Sequence, residues 1–554
     1  MFKVIALFFL SSALGVVLQN DMNSSGISFV TSFGGYKSPN SLNNKLMLVF
    51  IPSGDEEVYV SIRYFSLQID EEVVTNITIP KGGTAQTANL NYDYVVADDA
   101  FEEAMDDLVA IPDPRIYITS TLPIKVIAKN VNENLQLEHN GIGDAYLVPQ
   151  ISMINGNEFV IRVPKANLNQ VQLITIMTME EKMANGYIQS FENGVANDKK
   201  YFTISNILGK KQAVYIGGDG KEDKAFYISA DAKIFVTVTV TCADLTYYSG
   251  KVADVGGDAC DMVSYMAIPI DNYNCQSALS ETETRIVSSK FTYGVYVAPD
   301  MIACDSSLRI ETFTNTNPII GSYDQLQTSK GNYYSFVSSK ITNFGIQSTN
   351  TFTYMTRFGG IMDQTDATTI KSAFLAYVPE YTQFITGYDK FFTFSDHSYL
   401  EVYGTNINSD DFRLDAMVID DSLIQEVPLN VLNDKYSSYI IKIKIGGSHV
   451  FYSPAKYIAY AIGSVDGIST SNYGYLTGFS KTGLSRVTGN DVTPQGNNDP
   501  GSVTNNPHEA TTIKVATCAP PVTDTPITST TKGGFVVKAS LSVAFISFVF
   551  SLIL

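Results

Sequence analysis

Tryptophan is absent from this sequence of 554 residues, and histidine occurs only four times. The first absence excludes a WD-signature propeller and an immunoglobulin domain built around its buried Trp. Cations are scarce: 37 Lys and Arg stand against 56 Asp and Glu, a formal net charge of −19. Binding nucleic acid needs clustered cations to neutralise phosphates, so no nucleic-acid partner is expected. Charged residues make up 17%, below the roughly 25% of an ordinary soluble protein. Against these shortages stand 33 Tyr, 31 Phe and a hydrophobic fraction of 45%. Such a chain buries enough apolar area to offset its ordering entropy, which excludes global disorder.

Both ends carry targeting patterns. Residues 1–18 place Lys3 before the apolar run Val4 to Leu10 and the small residues around Ala13-Leu14-Gly15, the order of a secretory signal peptide. Residues 535–554 form a hydrophobic tail with nothing basic after it. Small residues at Ser529-Thr530-Thr531 and a short spacer precede it, the pattern of a GPI-anchor signal with Ser529 as the candidate attachment site. A single membrane-spanning helix is the alternative, with Lys538 inside it. Either way a route through the secretory pathway to the outer side of the plasma membrane is expected, with the membrane as a partner through this anchor.

The cysteines fit that compartment. Cys242, Cys260, Cys275 and Cys304 lack CxxC metal spacing, so paired disulfides are expected. Four cysteines allow three connectivities. Sequential pairs, Cys242 with Cys260 and Cys275 with Cys304, are favoured because both close short loops; Cys518 is left over. The sequons Asn23-Ser24-Ser25 and Asn76-Ile77-Thr78 make Asn23 and Asn76 candidate N-glycosylation sites.

Between these ends the dominant signal is period-two alternation. Val58, Val60, Ile62 and Tyr64 alternate with Ser61 and Arg63. Ile234, Val236, Val238 and Val240 alternate with Phe235, Thr237, Thr239 and Thr241, and Tyr439, Ile441, Ile443 and Ile445 with Lys442 and Lys444. This predicts half-buried antiparallel strands with one dry and one wet face. The expected class is therefore all-β: several antiparallel sandwich-like units in an ectodomain over 19–485, with possible units at 25–130, 131–335 and 336–485. The best helix candidate is Ala97 to Ala110. Ile118 to Val126 echoes Ile228 to Val236 in shape, strand, polar turn, strand, about 110 residues apart, the size of a small β-sandwich. Residues 486–534, rich in Thr, Ser, Asn, Pro and Gly, read as a flexible stalk.

Catalytic patterns are sparse. Asp396-His397-Ser398 contains triad residue types, but neighbours along a strand face opposite ways and cannot relay a proton. No Gly-x-Ser-x-Gly elbow, HExxH, P-loop or dinucleotide fingerprint occurs, and neither a cofactor nor a metal is expected. The acidic runs Asp98, Asp99, Glu102, Glu103, Asp106, Asp107 and Asp410, Asp411, Asp415, Asp420, Asp421 offer hard oxygen ligands for calcium. A solvated charged surface is the preferred account of both.

Three stretches together resemble the IgGFc-binding protein N-terminal domain family of extracellular, mucin-associated domains. They are Ile118 to Asn130 with Gly143-Asp-Ala-Tyr-Leu-Val-Pro149; Cys260-Asp-Met-Val-Ser-Tyr-Met-Ala-Ile-Pro269; and Gly447-Ser-His-Val-Phe-Tyr-Ser453 continuing to Asn472-Tyr-Gly-Tyr475. The resemblance covers roughly residues 25 to 480. It implies a β-rich, non-catalytic recognition or adhesion domain with His449 as a structural residue. The expectation is a non-enzymatic cell-surface protein that binds an extracellular protein or glycoconjugate through an exposed strand edge or aromatic-rich loops; the adjacent pairs Tyr247 and Tyr248, and Tyr333 and Tyr334, are candidate contacts, with ordinary strand residues the preferred account. A structural glycocalyx component without a defined ligand is one alternative. A secreted hydrolase is the other, and it requires two carboxyl groups converging in a cleft with one pKa raised.

Overall fold

The computed structural model describes residues 24–488 apart from 36–43, 98–105, 134–140, 168–169, 180, 193–194, 219–223, 246–259, 271–276, 300–305, 314–321, 329–333, 338–342, 350–351, 362–371, 430, 433–434 and 466–470. All of these belong to one compact unit. The described chain is all-β and built from curled antiparallel sheets. No helix among the described residues is long and apolar enough to cross a membrane.

Alternation produces strands where it predicts them. In Val58–Ser66, Val58, Val60, Ile62 and Tyr64 are buried while Tyr59 is exposed. The wet face is not always wet. In Lys224–Asp244 the hydroxyl positions Thr237, Thr239 and Thr241 are buried with their apolar neighbours. Ser32 Oγ donates to Thr237 Oγ1 and Gly34 packs against Thr239 from the first repeat, while Thr239 shares a hydrogen bond with Ser264 on the next strand of its own sheet, so this face is covered and its hydroxyls are paired. The third alternating run ends early: its strand is Tyr436–Ile443, and Ile445 beyond it is exposed. The expected helix over 97–110 is overturned at its C-terminal end. Asp107–Ile111 is a strand paired with Gln212–Gly217, because a partner sheet outweighs weak local helix preference.

The echo between residues 118 and 236 belongs to a unit that the fold repeats four times. Its polar centre is not a turn but a bulge within a long strand, Ile116–Glu133 in one case and Lys224–Asp244 in the other. The inner half begins past the bulge at Ile124, Ile234 and Tyr457, and in the third repeat at Thr353, the start of a separate strand; each is paired antiparallel with an earlier strand. Asn130, Val240, Gly359 and Gly463, six residues further on in every case, then face Asp144, Val263, Phe374 and Tyr473. These last residues lie on four short strands: Gly141–Val148, Cys260–Met266, Phe374–Tyr377 and Asn472–Leu476. Each is hydrogen-bonded on one side only, to its own sheet. Each packs against the next in chain order, and the last packs against the first, so the four strands surround a common axis. Gly474 is required there, since a Cβ would lie 2.3 Å from the Phe374 ring.

Buried charges join the repeats around this ring. The Arg115 guanidinium is held by Asp113 at 2.6 Å and donates across the boundary to the carbonyls of Thr178 and Ile207. Arg357 pairs with Glu401 at 2.6 Å, both fully buried, and its guanidinium sits 3.9 Å over the Tyr460 ring. Lys125 pairs with Asp389, joining the first repeat to the last.

Candidate functional site

The axial strands present backbone N–H groups that no neighbouring strand accepts, and a buried N–H without a partner is costly. Asp261 meets that need. Its Oδ1 accepts the N–H of Met262 at 2.9 Å and of Gly143 at 3.0 Å; its Oδ2 accepts the N–H of Ala373 at 2.9 Å and of Asn472 at 3.4 Å. One carboxylate thus receives a donor from each of the four repeats. Two residues along, Asp144 accepts from Ala145 at 2.7 Å, from Ser264 at 2.9 Å and from the Leu375 N–H.

Burial pushes both carboxyls well above the ordinary carboxylate range, against the pull of these donors, and the neighbouring Asp261 raises Asp144 further. The pair therefore has two features that a hydrolase would need, convergence and a raised pKa, and among the described residues both side chains are enclosed. Both residues are about 1% exposed or less. A cavity of about 30 Å³ beside the axial strands is lined by Tyr146, Tyr265, Tyr377, Tyr475 and apolar neighbours such as Leu147 and Phe479. It has room for roughly two waters. The arrangement can hold four repeats in register.

The residues singled out in the sequence fall elsewhere. Cys242 and Cys260 form a disulfide that ties a long strand to the axial strand beginning beside Asp261. Cys275, Cys304, Cys518, Asn23 and Ser529 lie outside the described residues, as do the signal peptide, most of the stalk, the tail, and Tyr247, Tyr248 and Tyr333. Asn76 is exposed on the strand Glu71–Ile79. Asp396, His397 and Ser398 lie at a bend and the start of the following strand rather than along one strand, with His397 at a φ of 60°. Asp396 accepts the Gly446 N–H, and buried Ser398 hydrogen-bonds Tyr473, so these two are committed to separate partners.

Of the first acidic run, Asp98 to Glu103 lie outside the described residues. Asp106 pairs with Lys224, and Asp107 pairs with Lys200 at 3.1 Å. In the second run, Asp420 caps a short 3₁₀ turn through the Ser422 N–H. Asp415 binds His449 Nδ1 and the Val450 N–H, both at 2.9 Å, while His449 Nε2 meets the Ile445 carbonyl at 2.9 Å. Burial raises the Asp415 carboxyl, but these donors outweigh it and hold the group below its ordinary value. No cluster of three or more metal-ligating side chains occurs among the described residues. No protein-family model and no curated protein sequence matches the chain.

The face best suited to contact a partner combines residues that lie far apart in sequence. Tyr201, Tyr187, Ser229 and Glu158 stand directly opposite one another on four adjacent strands, forming one row across the sheet. Tyr201 is 75% exposed, its ring 6.0 Å from that of Tyr187, and Tyr187 is in turn 5.9 Å from Tyr227. Exposed Lys199 places Nζ 4.0 Å over the Tyr187 ring. A second row, Thr203, Asn185 and Asp231, runs alongside. Asn185 donates to both Asp231 oxygens, at 2.8 Å from N and 3.0 Å from Nδ2, and accepts from Thr203 Oγ1 at 2.9 Å. The rings are rigid and amphipathic, and the polar row is already oriented, so little ordering entropy remains to be lost on contact. No local sequence pattern marks this face, because Tyr187 and Tyr201 are not adjacent in the chain. Cross-strand pairing of Tyr187 with Tyr201 was the needed signal, and only the register supplies it.

Proposed function

We propose that the chain is a non-enzymatic recognition or adhesion protein of the cell surface, binding an extracellular protein or glycan through the Tyr201–Tyr187 face. The exposed aromatic row beside an oriented polar row carries this reading. Tyrosine is enriched where a surface must bury apolar area and still satisfy hydrogen bonds. A pyranose suits the face, with its C–H side on the rings and its hydroxyls on Asn185 and Asp231; a tyrosine-compatible protein loop suits it also.

The compartment belongs to the same proposal. The N-terminal pattern sends the chain into the secretory pathway, and the C-terminal tail fixes it to the membrane, by a GPI anchor in preference to a single span. The disulfide supports an oxidising environment. The resemblance to IgGFc-binding domains is consistent with this class of function; antibody Fc is not proposed as the ligand.

The test measures saturable binding of the full chain to glycan and extracellular-protein panels, with Tyr201→Ala and Tyr187→Ala beside the native protein. Binding weakened at least tenfold by either substitution, at unchanged thermal stability for Tyr201→Ala, is the expected result. Saturable binding that neither substitution alters would remove this face from the reading. Absence of any saturable partner would favour the structural glycocalyx component.

A further inference from the structure

Among the described residues, the strand Glu71–Ile79 ends its sheet, pairing with Val58–Ser66 alone. The pairing runs residue for residue from Val58–Ile79 to Ser66–Glu71 with no bulge. Eight of its nine residues are exposed or half-buried, and Val74 is 53% exposed. Its sequence, Glu-Glu-Val-Val-Thr-Asn-Ile-Thr-Ile, is rich in β-branched residues and contains neither Lys nor Pro. A long, regular outer strand of this composition is a template for another strand, and native proteins blunt such edges with Lys, Pro, bulges or short length. Other outer strands do so: Gln86–Leu90 is five residues long, and Ile424–Pro428 carries Glu426 and ends in proline.

The two glutamates do not protect the edge. In an antiparallel pair formed by two copies about Thr75, Glu71 faces Ile79 and Glu72 faces Thr78, so no like charges meet. In that same register Val74 of one copy stands directly opposite Asn76 of the other. Directly opposed side chains lie about 5 Å apart on one face. Asn76 is the acceptor of the sequon Asn76-Ile77-Thr78 and is exposed. We infer that Asn76 carries an N-linked glycan whose role is to keep this edge from pairing with a second copy of the chain. Two glycans would have to share the face at the centre of the pair, which leaves no room for the second copy's strand to approach.

This rests on the proposed passage through the secretory pathway, and the experiment separates the two. The full chain, expressed in secretory cells, is examined by glycopeptide mass spectrometry and by light scattering after size-exclusion chromatography. The native chain is expected to carry a glycan at Asn76 and to be monomeric. Asn76→Gln and Thr78→Ala, which abolish the sequon in different ways, should each double the particle mass at tens of micromolar. Adding Val74→Lys to Asn76→Gln should restore the monomer by placing a charge at the pair's centre. Glycosylation at Asn76 with both sequon variants still monomeric overturns this inference and leaves the secretory reading intact. A chain without any glycan and with its N-terminal segment retained overturns both.

Discussion

Asp144 and Asp261 occupy successive layers of one axis, and backbone N–H groups, rather than a cation, hold each of them. The relationship explains why two acidic residues stand at the centre of a weakly charged core. Four edge strands converge there, and among the described residues no backbone ladder joins one to the next. A carboxylate offers about four lone-pair sites, enough to take one donor from each strand.

Asp261→Asn should therefore be severely destabilising. The amide has one oxygen and directs an NH₂ at N–H groups that need an acceptor. Leaving two buried donors unpaired costs about 3 kcal/mol or more. Asp144→Asn should cost less, because it also removes repulsion between the two carboxyls. Denaturant unfolding of both variants checks the order; an equal or larger loss for Asp144→Asn would contradict the hub assigned to Asp261.

The same pair sets a pH dependence of stability. Both carboxyls titrate above their ordinary value in the folded chain, so between that value and the folded one the native state holds more protons than the unfolded state. Stability from this source is complete below the ordinary carboxylate pKa and is lost as pH rises through the raised folded values. The difference in unfolding free energy between the native chain and Asp144→Asn should thus shift against the native chain from about pH 4 upward. A difference that is flat with pH would refute the raised titration.

The disulfide closes a loop with a sequence separation of 18. Replacing Cys242 and Cys260 with Ser should cost about 3 kcal/mol on the chain-entropy account. Mild reduction of the native chain should reproduce the loss, and the double variant should no longer respond to reductant. The denaturation midpoint, with and without reductant, reads both.

Arg357 and Glu401 test the ring from its third boundary. Arg357→Met leaves Glu401 buried without its cation and should cost about 3–5 kcal/mol. The double variant Arg357→Met, Glu401→Leu should recover much of that loss, since an apolar pair of similar volume removes the uncompensated charge. A double-mutant cycle by chemical denaturation gives the coupling; purely additive losses would show that the pair does not act as a unit.

Local sequence was sufficient for the strands themselves. Alternating β-branched and aromatic residues placed Val58–Ser66 and the long strand through Val240, and cysteine spacing favoured the Cys242–Cys260 pair that forms. Three kinds of information were not local. Whether Thr237 and Thr239 face water or a neighbouring sheet depends on what packs against them. Whether Asp107–Ile111 is helix or strand depends on Gln212–Gly217, about 100 residues away. The joining of Gly143, Met262, Ala373 and Asn472 on one carboxylate depends on four repeats closing into a ring. The shortage of tryptophan and cations thus excluded whole classes of protein, and periodicity set the secondary structure, because both act through composition and nearest neighbours. The tertiary structure alone decided which acidic residues are structural, which tyrosines form a surface and which strand is left with an open edge, because each is a property of register between segments far apart in the chain.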